Sequence, residues 1–161
     1  MNQAQQTPSS PNLRAIRILF NAIIAGTLLF SIVALLINKT QGPFSKEIRG
    51  YHNIFLGISI GIAVICFVIA RRSYNKGIAI AKDSLISLPD KLNKYLATLL
   101  MYIALCEGPA VFGVVLFLIT GNYFMLIITV TMIAAMLTKA PTIKRITDEL
   151  GLDWKQQQEL E

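Results

Sequence analysis

The stretch LATLLMYIALCEGPAVFGVVLFLI, Leu96 to Ile119, runs for 24 residues with one formal charge, Glu107. As a helix it would reach about 36 Å, more than the ~30 Å hydrocarbon core of a bilayer. Lipid offers no partners to backbone N–H and C=O groups, so a run of this kind must close its hydrogen bonds within itself as a helix. Three further runs repeat the pattern. Ile18 to Ile37 and Tyr51 to Ala70 are 20 residues each without Asp, Glu, Lys or Arg. Tyr123 to Thr138 is 16 residues and is extended by Gly121 and Asn122. The ten-residue alternating segments of a membrane β-barrel are absent. The expected fold is an all-α integral membrane protein, with four transmembrane helices in an antiparallel bundle. The spans fall at about 18–37, 51–70, 96–119 and 121–138 within a membrane domain of residues 15–138.

Composition agrees. Of 161 residues, 54% are hydrophobic and 15% charged, against roughly 25% charged in soluble domains. So short a chain cannot bury that much apolar surface in water. The net charge of +6 reads as loop cations facing an anionic lipid surface, not as a nucleic-acid footprint. Lys and Arg are distributed as two before the first span, three in the first loop, six in the second, none in the third and four in the tail. Twelve therefore lie on one side and three on the other. The positive-inside rule then puts both termini in the cytoplasm, and a bacterial cytoplasmic membrane is the expected location. The first run is too long for a cleaved signal peptide and lacks a small-residue cleavage site.

Between the spans, residues 1–14 read as a disordered tail, uncharged up to Asn12. The second loop, Arg71 to Tyr95, carries Ile78, Ala81, Leu85 and Leu88 at helical spacing and is expected to lie on the membrane surface, with Gly77 breaking the second helix. Ser87-Leu88-Pro89-Asp90 reads as a helix start, with a Ser cap, an early Pro and an acid at the third position. Thr120-Gly121-Asn122 reads as a tight turn joining the last two spans. Residues 139–161 form the tail. Ile143, Ile146 and Leu150 share a stripe continued by Leu152 and Trp154, which predicts a short amphipathic helix, either interfacial or folding on a partner.

The chemistry is sparse. Cys66 and Cys106 lie inside apolar runs and form no ligand cluster, and the single His52 sits at a helix end, so no metal or cofactor is expected. No catalytic motif appears, and an enzyme is not expected. Glu107 stands out, because an acid in mid-span is costly; it reads as a structural, protonated and hydrogen-bonded carboxyl at a kink, as a proton- or cation-binding site, or as a contact to an ionised group of a partner subunit. Gly108 and Pro109 follow it. Proline removes a helical hydrogen bond and crowds the carbonyl of Leu105, so a kink is expected there. Thr27, Ser59, Thr129 and Thr131 lie near mid-span on the other helices and are candidate companions for a proton or cation site with Glu107. Gly57, Gly61, Ala97, Ala104, Gly113 and Ala135 are candidate helix-packing positions.

The segment Ala104-Leu105-Cys106-Glu107-Gly108-Pro109-Ala110-Val111-Phe112-Gly113-Val114-Val115 resembles the carboxylate helix of rotary ATPase proteolipids, the c-ring subunits. Gly57 and Gly61 on the preceding helix echo that family too. The resemblance implies an ion-carrying role for Glu107. The whole chain is similar to small uncharacterised bacterial four-span proteins with an E-G-[PA]-A-x-[F] core, a T-G-N turn and a basic tail, a resemblance that brings no activity. Two functions are expected: an accessory or structural subunit of a membrane assembly, or a proton- or cation-linked carrier using Glu107. The partners expected are the lipid bilayer and either a second copy or another membrane protein, with no nucleic acid.

Overall fold

The computed structural model describes residues 13–45, 51–82, 87–153 and 156. Of the expected tail 1–14, residues 1–12 lie outside the described residues, as do the loop cations Lys46 and Arg49 and the stripe residues Leu85 and Trp154, whereas Leu13 and Arg14 are not tail but the first turn of a helix. The chain forms α1 (Leu13–Gln41), α2 (His52–Ala81), α3 (Leu88–Thr120), α4 (Phe124–Leu137) and α5 (Ile143–Leu150), with no strand among the described residues. Three of these helices are long and apolar enough to cross a membrane, and α4 is a shorter apolar helix.

Local chemistry places the helix ends. The Ser87 side chain accepts from the Asp90 N–H at 3.4 Å and donates to its carboxylate at 2.6 Å, with Pro89 in the first turn. This is the start expected from the sequence. α3 ends at Gly121, whose φ of +70° suits a residue without a side chain. Asn122 then accepts from the Phe124 N–H at 3.0 Å and turns the chain into α4. Thr142 caps α5 through the Arg145 N–H, and Gly151, with a φ of +60°, ends it.

α3 is the centre of the bundle and packs against α1, α2 and α4. α2 runs antiparallel to it, with Tyr74 edge-on to Tyr102 at 5.4 Å. α4 lies against α3 and touches both α1 and α2, whereas α1 and α2 scarcely meet. Each outer helix buries one stripe. In α1 the stripe is Ile16, Phe20, Ile24, Thr27 and Ala34; in α2 it is Ser59, Ala63, Ala70, Tyr74 and Ala81. The opposite faces expose Ile18, Leu29, Ile32, Leu36, Ile54 and Ile65. A water-soluble monomer does not present apolar area on that scale; acyl chains can cover it.

Two expectations about the polar segments are corrected. Gly77 does not break α2, which continues to Ala81. A Cβ at Gly77 would collide with the Thr98 side chain, so glycine there permits a close α2–α3 crossing. The crossing carries the propensity cost of a helical glycine, about 1 kcal/mol. The long second loop is therefore mostly helix. Ala81 is fully buried, and Ile78 and Leu88 pack on the core instead of lying on a membrane surface. α2 and α3 thus extend together beyond their apolar runs as a short stalk. The tail helix docks on the chain itself: Ile146, Leu150 and Leu152 are buried in the same core cluster as Tyr74, Ala81 and Tyr95.

Candidate functional site around Glu107

Glu107 lies near the middle of the apolar part of α3. Residues four before and seven after it on the same side, Ile103 and Val114, are fully buried. Next to them runs a stripe that nothing covers: Ala97, Met101, Ala104, Gly108 and Val115 are all exposed. The carboxyl is half-buried, at the edge of this stripe. Because α4 bridges α1 and α2 on the buried side of α3, the stripe opens on the other side, where α1 and α2 leave a gap. Three of its five residues are Gly or Ala, so its floor is low. α3 is one helix through Gly108 and Pro109, and Pro109 is buried. Among the described residues Glu107 has no hydrogen-bond or ion-pair partner.

The four hydroxyls expected near it do not gather there. Asn38 Nδ2 donates to the Phe117 carbonyl at 3.4 Å. This fixes the register of the parallel pair α1 and α3 and puts Thr27 about level with Glu107. Thr27 is buried, but its hydroxyl donates to the Ile23 carbonyl at 3.1 Å. Ser59 faces α4, donates to the Phe55 carbonyl at 2.6 Å and sits 3.9 Å from Met125 Sδ. Thr129 donates to the Ala110 carbonyl at 2.8 Å and fastens α4 to α3. Thr131 is exposed, bonds to Ile127, and lines an apolar groove of about 450 Å³ between α2 and α4. Each hydroxyl proton is thus spent on a backbone carbonyl.

The packing positions divide as well. Gly113 is buried against the Met125 carbonyl and Thr129 Oγ1, and Ala135 is half-buried on the α2–α4 groove. Gly57, Gly61, Ala97 and Ala104 face outward, and a Cβ at either glycine would meet nothing within 4 Å. Among the described residues none of the four is covered by a neighbouring helix.

A second polar cluster was not singled out from the sequence. At the stalk end, the Tyr74 hydroxyl donates to Glu149 Oε2 at 2.5 Å. Lys139 Nζ and Arg145 Nε lie 3.5 and 3.8 Å from Glu149 Oε1. The Lys139 ammonium also sits 4.1 Å above the Tyr74 ring, a cation–π position. The Tyr95 hydroxyl beside them is fully buried and lies next to the Tyr74 hydroxyl, but it makes no hydrogen bond of good geometry among the described residues. The one available sequence signal was the pair of tyrosines just beyond the apolar runs.

A buried hydroxyl left wholly unpaired costs about 1–3 kcal/mol; that of Tyr95 is held only by its poorly aligned approach to Tyr74, so Tyr95→Phe is expected to stabilise the protein by at most about 1 kcal/mol. Tyr74→Phe, which strips a donor from Glu149, is expected to destabilise it by a similar amount. Thermal unfolding of both variants in one detergent checks the opposite signs. A loss of stability in Tyr95→Phe would mean that the hydroxyl has a partner after all.

Compared with known protein families, with curated proteins and with solved structures, the chain matches none.

Proposed function

We propose that this chain is a four-span protein of a bacterial cytoplasmic membrane that serves as an accessory subunit, docking a transmembrane helix of another membrane protein in the gap between α1 and α2. One observation carries the reading: among the described residues the mid-span carboxyl has no hydrogen-bond or ion-pair partner, and it borders a long face of α3 that none of them covers. The small floor residues allow close helix approach. The carboxyl selects the occupant, a helix with a Lys, Arg or amide donor at mid-depth, because an acid in hydrocarbon is costly until it is paired. A bend at Gly108-Pro109 would tilt the outer half of α3 and shape the mouth of the gap. The twelve-to-three distribution of Lys and Arg supports cytoplasmic termini, with the stalk and α5 on that side.

The competing reading is a proton- or cation-linked carrier. A cation would need several oxygen ligands, and Ser59, Thr129 and Thr131 point elsewhere within one chain. Proton flux in liposomes, compared with that of Glu107→Gln, separates the two readings, and a flux abolished by the substitution would favour the carrier.

The docking test places a photo-crosslinking residue at Ala104, in the gap, and at Val130, on the exposed face of α4, in native membranes. The expected result is one protein adduct from position 104, mapped to a span of the partner that bears a basic or amide side chain. It is absent from position 130 and lost in Glu107→Ala. Adducts to lipid alone, adducts to a second copy alone, or an adduct indifferent to Glu107 would each overturn the reading.

A further inference from the structure

We infer that residues 139–152 act as a strap that ties α1 to α2 and sets the width of the gap between them, with Glu149 as its pin. The inference rests on the docking reading only for what the gap is used for; the mechanical claim stands on its own contacts. α1 and α2 scarcely touch along their length, yet both are fastened to this one segment. On the α1 side, Arg17 Nε donates to the Pro141 carbonyl at 3.1 Å, and Pro141 is buried. On the α2 side, Tyr74 donates to Glu149, and the Lys82 stem lies against Gly151, where a Cβ would meet Lys82 Cε at 3.1 Å. At the other end of the bundle α1 is tied to α3 instead. There Asn38 reaches the Phe117 carbonyl, and the Phe44 and Ser45 N–H groups donate to Leu118 and Ile119 at 3.1 and 3.2 Å. Beyond the packing of both helices on α3 and α4, the side-chain hydrogen bonds that cross-connect α1 to α2 are therefore made at the stalk end, through the strap.

Glu149 is the pin because its carboxylate receives contacts from three segments: Tyr74 of α2, Lys139 of the α4–α5 linker, and Arg145 one turn back on α5. α5 has only eight residues, too few to stay helical alone in water, so docking and helix formation are one event. Removing the pin leaves two cations facing one another beside Tyr74, while the apolar anchors Ile146, Leu150 and Leu152 must hold the segment unaided. A charge or partner that competes for Glu149 would loosen the strap and free α1 to move relative to α2, which changes access to Glu107 without touching it.

The test uses the full chain in liposomes, with Cys66 and Cys106 replaced by alanine and spin labels at two pairs of exposed positions. Ile80→Cys with Lys144→Cys reads the docking of α5, and Ile18→Cys with Ile80→Cys reads the α1–α2 separation. Both distance distributions are expected to be narrow with Glu149 present. In Glu149→Lys, which places a third cation beside Lys139 and Arg145, both are expected to broaden and shift. In Glu149→Gln, which keeps an acceptor for Tyr74 but loses the charge, both are expected to change less. A released α5 with an unchanged α1–α2 distance would show that the strap does not set the gap. A docked α5 in Glu149→Lys would show that Glu149 is not its pin. Neither readout involves a docked partner, so failure of the docking reading leaves this result standing, and the reverse also holds.

Discussion

Glu107→Leu is expected to leave the isolated chain at least as stable as the unsubstituted protein while removing its affinity for a partner helix. The two halves of this result come from one fact, that the carboxyl has no hydrogen bond among the described residues. On insertion scales a charged side chain at mid-span costs about 2.5–3.5 kcal/mol, and a carboxyl that takes up a proton costs less. Leucine removes that penalty and adds apolar contact, so unfolding in detergent should shift toward higher temperature by an amount bounded by that figure. In the proposed complex the carboxyl would have a donor opposite it. Truncating one member of a buried, hydrogen-bonded charged pair costs about 2–5 kcal/mol, which is about thirtyfold or more in Kd. Thermal unfolding of the isolated variant and recovery of the crosslinked complex measure the two effects separately. A variant destabilised by more than about 1 kcal/mol would mean that the carboxyl is satisfied inside the bundle and has a structural role. Glu107→Gln should keep part of the affinity where the partner supplies a neutral donor and little of it where the partner is a cation.

The reason Glu107 was legible in the sequence, while its setting was not, lies in how lipid changes the pattern of a helix. A lone charge among 24 apolar residues needs no structure to be noticed. The three long apolar helices and the shorter apolar α4 were legible for the same reason, since hydrocarbon leaves the backbone one solution. Short-range chemistry was legible too, in the Ser87 cap with Asp90 and in the turn at Gly121-Asn122. Which face of each helix turns inward was not. In water the apolar stripe marks the core, but a membrane helix is apolar all round, so periodicity does not separate Ser59 from Gly57 or Gly113 from Gly108. Gly77 misled in a different way. Its propensity says helix end, whereas its role is to admit Thr98, which lies 21 positions along the chain. The stripe Ile146, Leu150 and Leu152 was visible, but its target, the stalk, existed only once α2 was seen to pass Gly77. Glu149 likewise reads as an ordinary surface acid until Tyr74, 75 positions away, is placed against it.

Gly113→Val is expected to destabilise the bundle more than any other single glycine replacement in an apolar run, and the same change at Gly57 provides the contrast. All three glycines considered for packing lie in mid-helix and in apolar company. At Gly113 an added Cβ would lie 2.8 Å from the Met125 carbonyl oxygen and 2.8 Å from Thr129 Oγ1, with the Thr129 nitrogen at 3.6 Å. Two of those three atoms are backbone and cannot rotate away. α3 and α4 are joined by the short turn at Thr120 to Asn122, so they cannot slide past each other to make room and must splay. Splaying lengthens the bond from Thr129 to the Ala110 carbonyl and pulls Met125 away from Ser59. Overpacking alone costs about 1–3 kcal/mol, and a buried acceptor left bare adds about 1 kcal/mol or more. The expected loss is therefore about 3 kcal/mol for valine and less for alanine. At Gly57 and Gly61 the same Cβ meets open space, so the isolated chain should change by no more than about 0.5 kcal/mol. Denaturation of Gly113→Val, Gly57→Val and Gly61→Val in one detergent decides the matter. Equal stability across the three would mean that α4 is not seated on α3 at Gly113, and the bare face of α3 would then have to be sought on a different side of the helix.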